Sequence, residues 1–453
     1  MLPFVLWRRY FFDVKIHIPF CASKCNYCAF NSKVAPADLR ESYVDAIVSE
    51  IKTNPCSLIP VPSIYFGGGI FFEVKNLSEK ISVYIHIPFC AAKCNYCAFN
   101  SKVAPADLRE NYVDAIITEI KTNPCSLLPV PSIYFGGGTP TVLTLNQLGK
   151  IFNAVRNKFH VYENAEITIE ANPGTVDKNF LRELRTIGFN RISLGVQSFN
   201  DALLKILGRI HNSKTAISTV TNTRNIFDNV SLDLMYSLPN QTLDDVKFDV
   251  QRAADLNVNH ISIYGLEVEE GTKFFQLHEE GRLNLPDENI CGDMYDYITE
   301  ILPRLGYERY EVSNFAKDGK KSRHNIGYWT GRKYFGFGAG AHSYSGELRT
   351  SNIADVESYV KKIRAGSDVS QLEEVVTKQA AMEEFCFLGL RMTEGIDAQI
   401  FLKKFGENIL DVYKNVIEKN LRLGLIDISG DKIFLTARGM KVGNVVFSDF
   451  LLS

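Results

Sequence analysis

Hydrophobic and polar positions change rhythm repeatedly along the 453 residues. In "ISVYIHI" (81–87) apolar residues alternate with polar or aromatic ones, and Ile, Val and Tyr dominate; this predicts a strand, which Pro88 ends. In "PADLRENYVDAIITEIKTN" (105–123) Leu108, Tyr112, Ile116 and Ile120 recur at every fourth position, on one face of a helix. Pro105 opens that helix and Asn123-Pro124 closes it. "SIYFGGG" (132–138) is then a short buried strand running into glycines. The alternation continues, with helices expected over 145–158, 178–187, 202–207 and 243–256, and strands over 166–170, 191–194, 230–234 and 260–264. Strand and helix in turn imply crossover units on a parallel sheet. Six strands counted from Ser82 are fewer than a closed barrel of eight. Beyond Thr272 a polar helix (288–305) leads into aromatic- and glycine-rich sequence (307–344). From Thr377 onward, short helices and the strand "KIFLT" (432–436) predict a small winged-helix-like domain. The expected fold is α/β: a partial (β/α)6 barrel over 81–285, a smaller α+β region over 286–375 and a C-terminal domain over 376–453, preceded by an extension over 1–80.

That extension is a repeat. Residues 15–69 align with 84–138 without a gap and differ at six of 55 positions, Lys15 against Tyr84 among them. Solenoid repeats diverge further and recur three or more times. This is one strand–loop–helix–strand unit duplicated in tandem. The displaced copy is expected to be an unpaired strand and an amphipathic helix without a slot, an aggregation hazard; a duplicated exon in the gene model explains it better than a second working unit.

Composition narrows the class. A net charge of -2 gives no footprint for nucleic acid, and 45% hydrophobic residues suit a sizeable core. No apolar run is long enough to span a membrane. The N-terminal "MLPFVLWRRYFF" lacks the order of a secretory signal, so the protein is expected not to be secreted. Clustered cysteines in such a chain read as metal ligands before disulfides.

Both copies carry the same cysteine pattern: Cys21, Cys25 and Cys28 in the first, Cys90, Cys94 and Cys97 in the second. A structural zinc site needs four protein ligands, and a distant fourth such as Cys125 keeps that reading open. A [4Fe–4S] cube held by three cysteines leaves one iron for an exogenous chelate, the logic of binding S-adenosylmethionine (SAM).

The CxxxCxxC loop after the first strand, with Tyr96 before its third cysteine and "GGGTPT" (136–141) after the second strand, resembles the radical SAM superfamily. "IEANPG", "RISLGVQSFND", "LLKILGRIH" and "SLDLMYSLPNQT" extend the resemblance to the HemN/HemW group over nearly all of 82–453. The resemblance implies a cluster on Cys90, Cys94 and Cys97 and a SAM site of Tyr84, Tyr96, Gly137, Gly138, Thr139, Glu170, Gln197, Arg209 and Asp233. The group's usual "GLPGQT" has Ser237 and Asn240 here in place of both glycines; Asn tolerates positive φ, so Ser237 is the harder departure.

Two functions compete within the group. One is an oxygen-independent coproporphyrinogen III oxidase, a radical decarboxylase. The other, the HemW branch, is a haem chaperone that keeps the cluster and SAM site. Phe99 stands where the oxidase loop has a fourth cysteine, and "HNIGYW" (324–329) fits the HNxxYW motif of the HemW branch. The resemblance therefore favours the chaperone, with His324, Asn325, Tyr328 and Trp329 as candidate haem residues and His342 as a second histidine. It implies haem and an unidentified haem acceptor as partners, is compatible with a homodimer, and points to mitochondria by its animal members, otherwise to the cytoplasm. The flanks choose between the copies: Lys15 and "IFFEVK" replace Tyr84 and "TPTVLT", so Cys21, Cys25 and Cys28 are expected not to hold the cluster.

Overall fold

The computed structural model describes strands β1 (Asp13–His17), β2 (Ser63–Gly67) and β3 (Ile70–Glu73), then residues 80–125 and 128–452. Cys21, Cys25, Cys28 and the helix of the first copy lie outside the described residues.

The main sheet has twelve strands. Six parallel ones carry the predicted order: β4 (Ser82–Ile87), β5 (Pro129–Gly137), β6 (His160–Ala171), β7 (Arg191–Gln197), β8 (Val230–Tyr236) and β9 (His260–Gly265). Their apolar residues, among them Val83, Ile85, Ile133, Ile169, Ile192, Leu194 and Leu232, are fully buried, as expected for strands covered on both faces. The crossover helices Ala106–Thr122, Leu145–Lys158, Lys178–Ile187 and Leu243–Asp255 match the apolar periodicity. Thr144 and Thr242 start two of them with capping boxes closed by Gln147 and Asp245.

One helix and six strands named next are not predicted by the pattern. Helix Ser213–Arg224 is rich in Ser and Thr, which weaken a helical signal. Strands β10 (Glu308–Arg309) and β11 (Asn314–Ala316) add antiparallel to β9. On the other side, β12 (Tyr334–Phe337) pairs parallel with β4, and β13 (His342–Tyr344), β14 (Leu348–Asn352) and β15 (Ser370–Val375) continue the same sheet. The half-buried Glu119 of the first crossover helix ties this extension down: it accepts from Gly338 N–H (2.8 Å), Asn352 Nδ2 (2.6 Å) and the Tyr359 hydroxyl (2.5 Å). A separate core of Cys386, Leu390, Phe401, Ile409 and Val446 surrounds the sheet β16 (Ile396–Asp397), β18 (Lys432–Leu435) and β17 (Ile426–Ser429) at the C-terminus.

The first copy's strand is not unpaired. β1 and β2 pair in parallel with Lys15 opposite Tyr65, the register that Tyr84 and Tyr134 adopt in the main sheet. The edge that β6 covers in the main sheet is taken here by β3, which folds back antiparallel on β2. The divergence after the glycines thus supplies an edge cover, which answers part of the expected aggregation hazard.

Candidate functional site

The carboxyl ends of β4–β8 open onto one cavity of ≈ 490 Å³, in the range of small-molecule and cofactor sites. Its walls include Cys90, Cys94 and Cys97 from the loop after β4, Tyr96 between them, and Gly137, Gly138 and Thr139 beyond β5. Glu170, Gln197, Arg209 and Asp233 complete it. Among the described residues no three His, Cys, Asp or Glu side chains converge closely enough to hold a single ion; the thiols rim a cavity instead.

The glycines are needed where they stand. Gly137 has φ +108°, and a Cβ there would lie 2.4 Å from the His86 ring. A Cβ on Gly138 would lie 2.6 Å from the Phe89 carbonyl oxygen. The cysteine loop and the glycine turn therefore touch backbone to backbone, which side chains would prevent.

A directional chain of hydrogen bonds joins two of the cysteines. Arg209 Nη2 can only donate, and it donates to Asn172 Oδ1 (2.5 Å). That fixes the Asn172 amide, so Nδ2 donates to Thr139 Oγ1 (2.7 Å). The Thr139 proton is then free for Cys90 Sγ (3.5 Å), while Arg209 Nη1 donates to Cys94 Sγ (3.3 Å). Both ends of the chain thus terminate on sulfur as acceptor, the role of a thiolate. Buried Arg209 Nε has no partner among the described residues. Asn172 stands inside "IEANPG", yet residue type and spacing do not mark it, because its role depends on three segments that meet only in space. Asn172→Ala should leave the thiols in place and loosen what they hold. The expected result is iron loss to a chelator about 10- to 100-fold faster than in wild type, followed optically.

Glu170 accepts from the Tyr134 hydroxyl (2.8 Å) and from Gly137 N–H (3.2 Å). Burial, with a smaller contribution from Asp233, pushes its carboxyl up to about 7. Asp233 is also raised by burial and accepts from the Ser193 hydroxyl (3.2 Å). Gln197 adopts φ +71° and accepts from the Tyr264 hydroxyl (3.3 Å); such backbone strain in a side-chain-bearing residue concentrates at ligand sites. Ser237 and Asn240 keep the turns that glycine supplies elsewhere, at φ +59° and +63°.

Tyr84 is not in the cavity wall. Its hydroxyl lies 3.1 Å from His86 Nδ1, and its ring stacks on Tyr134. His86 Nε2 lies 3.0 Å from the Asn100 carbonyl, which can only accept, so Nε2 carries the proton and Nδ1 accepts from Tyr84. Tyr84 thereby sets the tautomer with which His86 holds the far end of the cysteine loop.

The HNxxYW residues also stand apart from the cavity. His324 is fully buried, with Nδ1 3.1 Å from the Ser132 hydroxyl and Nε2 3.0 Å from the Tyr328 hydroxyl. Burial, helped by Arg332 and Arg191, pushes it down to about 3, so it is neutral. Glu166 accepts from the N–H groups of Arg323 and His324 (both 3.0 Å) at the start of helix Arg323–Trp329. Asn325 is half-buried on that helix, and Trp329 lies beneath the guanidinium of Arg391, 4.5 Å from its ring centre. His342 is exposed, on β13. Cys125 does not line the cavity.

Residues 84–253 match the family model of the radical SAM superfamily, and 376–442 match that of the HemN C-terminal domain. A heme chaperone HemW of Bacillus subtilis is 38% identical over 82% of this chain and 99% of its own. A mitochondrial radical S-adenosyl methionine domain-containing protein 1 of Danio rerio is 30% identical, over 76% of this chain and 80% of its own. Among solved structures, the radical SAM coproporphyrinogen III oxidase HemN of Escherichia coli superposes with a TM-score of 0.73 at 23% identity, over 82% of this chain and 90% of its own, which is a likeness of fold.

Proposed function

The chain belongs to the HemW family within the radical SAM superfamily, and from that membership we propose that it is a haem-binding chaperone with a SAM-ligated [4Fe–4S] cluster on Cys90, Cys94 and Cys97. The mitochondrial relative favours mitochondria as its compartment. Among the described residues no helix is long and apolar enough to cross a membrane.

The donor set fits the cluster. In a tetrahedral zinc site thiolate sulfurs approach to about 3.8 Å of one another, whereas a cube spreads its ligands over separate irons; three thiols around one cavity suit the second. Arg209 and Thr139 offer hydrogen bonds to the thiolates. Glu170, Asp233 and Gln197 offer acceptors for the hydroxyls and amines of a nucleoside. When bound, a reduced cluster supplies an electron to SAM.

The observation that carries the choice between chaperone and oxidase is Phe99. It lines the cavity yet is 70% exposed, an apolar side chain at the position of the oxidase's fourth cysteine. The test is anaerobic cluster reconstitution followed by optical haem titration and an assay of SAM-dependent decarboxylation of coproporphyrinogen III. Haem binding without decarboxylation is expected; decarboxylation without haem binding would overturn the proposal. His324→Ala separates two roles for that residue. An axial ligand would be lost together with the haem band. A strut between β5 and Tyr328 would cost stability and leave the band, and its two hydrogen bonds favour the strut.

A further inference from the structure

Arg391 belongs to the segment after helix Lys378–Gly389, in the region matching the HemN C-terminal domain, yet its side chain lines the cysteine cavity. Its backbone is fixed there: Glu311 forms a β-bridge with Met392, and Thr393 N–H donates to the Tyr310 carbonyl (3.1 Å). The guanidinium carbon lies 4.5 Å from the centre of the Trp329 ring, a cation–π contact that uses the face of the group and not its N–H donors. Among the described residues Arg391 makes no ion pair or side-chain hydrogen bond, and its buried Nε is unpartnered. Buried Glu311 feels the charge of Arg391, but one of its oxygens is taken by the Ser313 N–H (2.8 Å), and burial raises its carboxyl. Glu267 and Glu269 line the same wall, but both are exposed, and solvent screens them.

A cation built into a ligand cavity with no directly paired carboxylate among the described residues calls for an anionic ligand group, and a planar guanidinium suits a carboxylate bidentately. We propose that Arg391 is a carboxylate anchor, carried into the radical SAM cavity by the C-terminal region and aimed by Trp329 of the HNxxYW motif. This deepens the chaperone reading and rests on it for one of two sources: a propionate of the tetrapyrrole, or the carboxylate of SAM. Trp329 then serves the ligand at one remove, by orienting Arg391.

The test uses the full reconstituted chain, with Arg391→Ala, Arg391→Lys and Arg391→Gln. Each is titrated with haem, with iron octaethylporphyrin, which has the macrocycle and no carboxylates, and with SAM. Arg391→Ala should weaken a carboxylate ligand about 10- to 100-fold and leave octaethylporphyrin unchanged, and Arg391→Lys should recover part of the loss. A loss confined to haem assigns the propionate; a loss confined to SAM assigns its carboxylate. Equal affinities in wild type and Arg391→Ala for both carboxylate ligands would overturn the proposal. So would an equal loss for haem and octaethylporphyrin, which would make Arg391 a packing residue. Arg391→Gln, which keeps a flat group on Trp329, gives the same readout if the Ala variant does not fold. A wild type that binds no haem would sink the chaperone reading, while the SAM titration would still decide for Arg391.

Discussion

After anaerobic reconstitution, Cys94→Ala protein is expected to retain under about a tenth of wild-type iron, because two thiolates do not secure a cube, whereas Cys25→Ala retains all of it. The two cysteines occupy the same place in copies that are nearly identical, so the difference must come from what surrounds them. Thr139, which donates to Cys90 and receives from Asn172, corresponds to Ile70 in the first copy, which has no hydroxyl. Tyr84, which sets the His86 tautomer, corresponds to Lys15. The second copy is also the one whose strands lie in the main sheet, next to β6, which delivers Glu170 and Asn172, and in the same sheet as β8, which delivers Asp233. β1 and β2 form a sheet of their own with β3. Iron retained in Cys94→Ala and lost in Cys25→Ala would reverse the assignment.

The sequence made the six parallel strands legible because each is an apolar run closed by Gly, Pro or a polar turn, and burial on both faces rewards that pattern. It did not show β12, whose "YFGF" is short and glycine-broken; its place is earned by pairing with β4, 252 residues earlier at Tyr334 and Ser82. The site was legible for the same reason in part. Cysteines, triple glycine and lone acids at strand ends announce themselves by residue type. Asn172, His86 and Arg391 do not, since each works through a partner that only the fold brings near. Trp329 is the instructive case: its motif drew attention to haem, and its observed contact is with Arg391.

SAM affinity should depend on pH through Glu170, and in the direction opposite to that residue's effect on stability. Its carboxyl, at about 7 in the ligand-free protein, is half protonated at neutral pH. Two of its acceptor positions are spent on Tyr134 and Gly137, and the ionised form keeps further lone pairs for ligand hydroxyls. Binding should therefore weaken about tenfold per pH unit below 7 and level off above it. Glu170→Gln should bind about 10- to 100-fold more weakly at pH 8 and show no such slope. For stability the sign reverses. A carboxyl raised on folding contributes stability that is full below its unfolded value and lost as pH rises through about 7. The difference in Tm between wild type and Glu170→Gln isolates this group from Asp249, likewise pushed up by burial to about 7. The ligand-free variant should be the more stable of the two at pH 8, and the gap should close toward pH 5. A wild-type SAM affinity that is flat between pH 5.5 and 8 would remove Glu170 from the ligand's contacts; an unchanged Tm difference across that range would show that its burial is relieved by solvent. The two slopes together describe a carboxylate kept costly in the empty protein so that a ligand's hydroxyls can relieve it.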